Sequence, residues 1–117
     1  MPRPRKWRHV CCLPKHPLYG PLNQAEPPHF VVLRVDEYEV IRLIDFEQLD
    51  QEQSAQRMQV ARSTVQHMYQ SARQKIAEAL INGYALRIEG GEYQLYNDQE
   101  RGYGCRQHRQ RRRGFRD

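Results

Sequence analysis

The chain has 117 residues, 38% hydrophobic and 28% charged, with a formal net charge of +5; that is enough for one modest domain with tails and leaves nothing for a second full core. No apolar run approaches the roughly 18 residues of a membrane span, and the basic start MPRPRKWRH leads into CCLPKHP instead of a signal-peptide core, so a cytoplasmic protein with no membrane partner is expected. Three cysteines, two of them adjacent at Cys11 and Cys12, do not make a secreted disulfide framework, and reduced thiols are the default expectation.

The net charge conceals an uneven distribution. Met1 to His9 carries Arg3, Arg5, Lys6 and Arg8 with no acid, and Arg101 to Asp117 holds seven arginines against one aspartate. The body between them therefore sums to −5. Basic ends around an acidic body suit contact with a polyanion by the ends; the bland alternative is that the ends only keep the chain soluble.

All seven prolines lie within residues 1–28. Proline lacks an amide donor and restricts its predecessor, so this stretch is expected to be an extended, meandering arm. HFVVLRV, His29 to Val35, is β-branched and aromatic enough for a short strand. DEYEVIRLIDFEQL then predicts a first helix with Val40, Ile41 and Ile44 inward, joined by Tyr38 and Leu49. Its first turn holds Asp36, Glu37 and Glu39, which suits the positive end of a helix dipole. An acidic outer face is expected there, making this helix scaffold and keeping it off phosphates.

Asp50 can cap a second helix starting at Gln51, and Gln53 completes a D-x-x-Q capping box. Ala55 and Met58 form its buried side. After a break at Gln59-Val60-Ala61, the residues Val65, Met68, Ala72, Ile76, Ala79 and Leu80 recur every three or four positions along one face of a third helix, placed at 62–81. Asn82-Gly83 ends it. ALRIEGGEYQLY, Ala85 to Tyr96, switches to period two around Gly90-Gly91, which predicts a β-hairpin. Beyond Asp98 little could be buried, and disorder is expected until a partner binds. The expected fold is mainly α. It is a three-helix core containing a helix-turn-helix, followed by a small β-hairpin, with an N-terminal arm at 1–28, the domain at 29–96 and an Arg-rich flexible tail at 97–117.

A short helix, a tight turn and a longer helix form a helix-turn-helix, whose second helix lies in the DNA major groove. If Val65, Met68 and Ala72 face the body, Ser63, Thr64, Gln66, His67 and Gln70 face outward. Glutamine can pair with adenine at two points, and serine or threonine can reach a base edge or phosphate. Arg57, Arg62, Arg73 and Lys75, with Arg111, Arg112 and Arg113 of the tail, suit phosphate contact. A helical hairpin with an idle polar face has the same periodicity, but residues 51–80 are net basic within an acidic body, which favours DNA.

DEYEVIRLIDFEQLDQEQSAQRMQVARSTVQHMYQSARQKIAEAL resembles the helix-turn-helix of region 4 in sigma-70 family factors. More closely, MPRPRK, DEYEVIRLIDFE, SARQKIAEAL and ALRIEGGEY, spanning Met1 to about Tyr96, together resemble the "domain of unknown function 134" family of predicted prokaryotic DNA-binding proteins. The resemblance implies a helix-turn-helix fold and DNA binding. Two positions depart from the family pattern: Gln59 stands where glycine is usual in the turn, costing about 1 kcal/mol if that residue is left-handed, and Ala61 stands where serine commonly caps the third helix, forfeiting about 1 kcal/mol.

His9, Cys11, Cys12 and His16, with Cys105 and His108, could form a Cys/His zinc site, but no C-x-x-C is present and free thiols are favoured. No nucleophile with a base, paired-carboxylate cleft or phosphate-cradling glycine loop stands out, so neither an enzyme nor a cofactor is expected. The expected function is sequence-specific binding of double-stranded DNA by a transcriptional regulator, a homodimer because one helix-turn-helix reads too few base pairs. The alternatives are RNA binding through QHRQRRRGFR and a module whose acidic first helix docks on RNA polymerase or another regulator.

Overall fold

Proline-rich and β-branched sequence keeps the first third of the chain extended, and three helices follow before the backbone extends again. The computed structural model describes residues 7–26 and 29–95. In chain order these form β1 (Arg8–Val10), β2 (Leu18–Tyr19), β3 (Phe30–Leu33), α1 (Val35–Ile41), a π-helical turn at Arg42–Phe46, α2 (Gln51–Met58), α3 (Arg62–Asn82), β4 (Ala85–Ile88) and β5 (Tyr93–Leu95). The chain is mainly helical with small strands, and no described helix is long and apolar enough to cross a membrane.

The three-helix core contains Val40, Leu43, Ala55, Met58, Val65 and Met68, all buried. A second apolar cluster places Ala72 of α3 against Val10, Leu33, Val35 and Ile88. α3 therefore runs across both cores: its first two turns rest on α1 and α2, and its middle rests on strands. Burying one such side chain contributes roughly 1.5–3 kcal/mol, so packing outweighs the weak capping at the start of α3. Leu80, expected within the inward stripe, is 77% exposed. The sheet ends before it, and no element covers that last turn.

The proline-rich stretch is extended, but it is not a free arm. Val10 and Cys11 are fully buried, and β1 pairs in parallel with β5. The expected hairpin is corrected in a related way. Gly90 and Gly91 do reverse the chain, with φ of 74° and 99°, and strands lie on both sides of them. Those strands do not pair with each other. β4 is the centre of a sheet ordered β2-β4-β3, antiparallel to β2 and parallel to β3. Both its edges are occupied, so β5 joins β1. Gly91 is required by proximity as well as by φ, since a Cβ there would stand 2.6 Å from Asp36 Oδ1.

The first helix is also not the continuous one expected. After Ile41 the backbone widens to π geometry, with the Glu47 amide donating to the Arg42 carbonyl at 2.8 Å. A buried ionic triad sits at this widening. Arg42 donates to Glu39 through Nε at 2.8 Å and Nη2 at 2.9 Å, and through Nη1 to Glu47 at 3.0 Å. The extra residue per turn brings Glu47 back under Arg42; π-helical turns are often functional or structural insertions of this kind. The supposed acidic outer face is buried: Asp36, Glu37 and Glu39 are at most 1% exposed. Each has a cation within reach, the condition under which buried carboxylates are tolerated.

Between α2 and α3, Gln59 takes the left-handed conformation, φ 57° and ψ 47°. The amide of Val60 donates to the Ala55 carbonyl at 3.0 Å, and that of Gln59 to Gln56 at 3.3 Å, closing the helix in a Schellman pattern. Replacing Gln59 by glycine should remove the Cβ penalty of this geometry and stabilise the fold by up to about 1 kcal/mol. Chemical denaturation would read this as a higher midpoint at unchanged slope.

Candidate nucleic-acid interface

The capping box at the start of α2 aims the turn that follows. Asp50 accepts from the Gln53 amide at 2.7 Å, and the Gln53 side chain accepts from the Asp50 amide at 3.0 Å. This fixes where α2 begins, and burial of Ser54, Ala55 and Met58 fixes how it rolls on α3. α3 starts at Arg62 after Ala61, which makes no side-chain cap, and it has no acid in its first turn. Its positive dipole end thus faces solvent without an internal anion to neutralise it.

With Val65, Met68 and Ala72 buried, Ser63, Gln66, His67 and Gln70 are exposed and Thr64 is half-buried. These five side chains come together on one face of the first two to three turns. The cations divide. Arg62 is exposed and Arg57 half-buried. Arg73 donates to the Tyr69 hydroxyl at 3.0 Å, and that hydroxyl donates to Asp45 at 2.7 Å. Burial and the Asp45 carboxylate push the Tyr69 phenol above its ordinary range. Lys75 is committed to Glu37, 2.7 Å away. Arg111, Arg112 and Arg113 lie outside the described residues.

Beside the outward face lies an open polar cleft of about 410 Å³, lined among others by Arg8, Arg34, Thr64, His67, Ser71 and Lys75. The sequence reading missed Arg8 and Arg34 here. Arg8 pairs with Asp36 at 3.0 Å and Glu92 at 3.4 Å. The Arg34 side chain is 42% exposed and lies 3.4 Å from Asp36, yet its buried Nε has no hydrogen-bond acceptor. It is the most loosely held cation of the cleft. The only local signal was its place three residues before Glu37, whose carboxylate accepts the Arg34 amide at 3.0 Å.

Glu37 ties this cleft to α3. It accepts from Ser71 at 2.6 Å and Lys75 at 2.7 Å, two residues one turn apart on the helix. Burial alone would raise its pKa, but these hydrogen bonds, with that from the Arg34 amide, outweigh burial and hold the carboxyl below its ordinary range. A depressed carboxylate contributes stability that is present above the unfolded pKa and lost as pH falls through the folded one. Glu37→Gln should therefore melt below the wild type at neutral pH. The gap should narrow as pH drops from the ordinary glutamate range downward; a gap independent of pH would contradict the ionic role.

The zinc candidates are not brought together within the described residues. Cys11 is buried and disulfide-bonded, which corrects the expectation of reduced thiols at that position, while Cys12 keeps its thiol. Proximity to another cysteine, which the primary structure does not display, is the reason. His16 is exposed, and Cys105 and His108 lie outside the described residues. Among those described, no group of three His, Cys, Asp or Glu side chains could hold a metal ion.

Comparison with known proteins gives consistent matches. The family model described as "Protein of unknown function DUF134" matches residues 1–96. A UPF0251 protein of Desulfitobacterium hafniense is 53% identical over 114 residues, covering 97% of this chain and 91% of that protein. Another from Caldanaerobacter subterraneus subsp. tengcongensis is 48% identical over 113 residues, covering 93% of each. No solved structure matches.

Proposed function

The chain belongs to the DUF134 family, and on that footing we propose that it binds double-stranded DNA sequence-specifically as a transcriptional regulator, with α3 in the major groove. The observation that carries the reading is the face formed by Ser63, Thr64, Gln66, His67 and Gln70, which is free of acid and rests on buried Val65, Met68 and Ala72. Those side chains have the donors and acceptors that base edges require. Arg62 and Arg34 flank the face, and cations there neutralise phosphates and set register. The protein acts as a homodimer on a two-fold related site, because one such unit reads few base pairs.

Docking on polymerase through an acidic first helix loses its surface, since Asp36, Glu37 and Glu39 are buried. RNA binding through the Arg-rich tail is separated by competition between duplex DNA and structured RNA. Selection of bound fragments from random duplexes tests the proposal: a two-fold symmetric consensus is expected. Recovery of unrelated sequences at every salt concentration would overturn it, because phosphate contact alone carries no sequence information.

A further inference from the structure

We propose that the apolar surface around the C-terminal end of α3 is where a second copy of this chain docks; the association stands by itself, and only its consequence for site spacing rests on the DNA reading above. The last turn of α3 leaves Leu80 and Ile81 77% and 79% exposed, and the neighbouring β2 segment leaves Leu18, Tyr19 and Leu22 58%, 51% and 101% exposed. Between them runs an open groove of about 360 Å³ lined by Tyr19, Pro21, Ile76, Leu80, Tyr84 and Leu86, with no charged residue in its wall.

Area argues for a protein partner. At roughly 150–200 Å² for a fully exposed large side chain, those five residues present on the order of 600 Å². That reaches the upper end of the largest apolar patch on an ordinary monomer, about 300–600 Å². It also supplies most of the roughly 800 Å² that each partner contributes to a stable interface. A wall without cations does not suit a phosphate backbone.

Shape argues that the partner is the same chain. The patch carries both a projecting pair, Leu80 and Ile81, and an adjacent groove. A two-fold axis lets each copy seat its projection in the other's groove, the reciprocal contact that an isologous interface requires. The same axis sets a distance. From His67 to Leu80 a helix rises about 20 Å at 1.5 Å per residue. Two α3 helices meeting at their C-terminal ends therefore hold their outward faces at most about 40 Å apart. Modest inclination brings this to the roughly 34–36 Å between half-sites one DNA turn apart.

Sedimentation equilibrium of the full chain, without nucleic acid, tests the proposal. The wild type should be dimeric at concentrations of about 1–100 µM, and Leu80→Glu/Ile81→Glu should weaken the dimer at least about 100-fold while circular dichroism stays unchanged. Leu22→Glu, at a side chain whose full exposure makes it safe for folding, should weaken it about 10-fold and decides the matter if the double variant misfolds. A wild type still monomeric at about 100 µM would assign the surface to a different protein, and a dimer indifferent to Leu22→Glu and to any folded Leu80→Glu/Ile81→Glu variant would place the interface elsewhere; either result overturns the proposal. A dimer that fails to select DNA would overturn the functional reading alone, whereas a monomer that selects half-sites would overturn the interface alone.

Discussion

Replacing Arg42 by alanine should destabilise the fold by about 3–5 kcal/mol, because it leaves Glu39 and Glu47 as uncompensated buried carboxylates. At about 4–8 °C per kcal/mol for a domain of this size, the melting midpoint should fall by roughly 15–30 °C. Arg42, Glu39 and Glu47 are each no more than 4% exposed, so water cannot compensate. Arg42→Lys should rescue only part of the loss, since an ammonium cannot reproduce the two parallel bonds to Glu39. Exchanging all three residues for aliphatic ones of similar volume should recover most of it. Some deficit should persist because Glu39 also accepts from the Cys11 amide at 3.2 Å, and an orphaned buried donor costs about 1–3 kcal/mol. A single Arg42→Ala variant melting within a few degrees of wild type would contradict the triad.

The second large effect belongs to the outward face of α3. Gln66→Ala/Gln70→Ala removes two side chains capable of two-point contact with adenine, each worth about 1–3 kcal/mol of discrimination. Preference for the selected duplex over a scrambled one should therefore fall by roughly 30-fold to 10⁴-fold at fixed salt. Non-specific affinity and its salt slope should stay nearly unchanged, because both residues are uncharged. Both are exposed, so the melting temperature should not move. A variant retaining full preference would remove these residues from base readout.

Local signals made the helix-turn-helix legible. The Asp50/Gln53 box, the Val65-Met68-Ala72 spacing and the Asn82-Gly83 stop each act within a few residues of chain, and α2 and α3 follow them closely. What stayed hidden depends on distant partners. Glu37 looks like a solvent-facing helix start until Lys75, 38 positions later, is placed beside it, and Asp36 does so until Arg8 is. Period-two alternation around Gly90-Gly91 locates strands and a turn, but it carries no information on which edge is vacant. The inward stripe of α3 overran at Leu80 because periodicity continues along the helix whether or not an element is there to cover it. Arg34 escaped notice beside the site for the same reason: its place next to Thr64 and His67 arises from how α1 meets α3.

Amide chemical-shift mapping while a selected duplex is titrated into the full chain tests the central claim most directly. Perturbations should concentrate on residues 62–70, with smaller ones at Arg34, and should collapse to a weak, salt-sensitive pattern when the duplex is scrambled. Identical maps for the two duplexes, or changes that leave the first turns of α3 untouched, would contradict base readout by this helix.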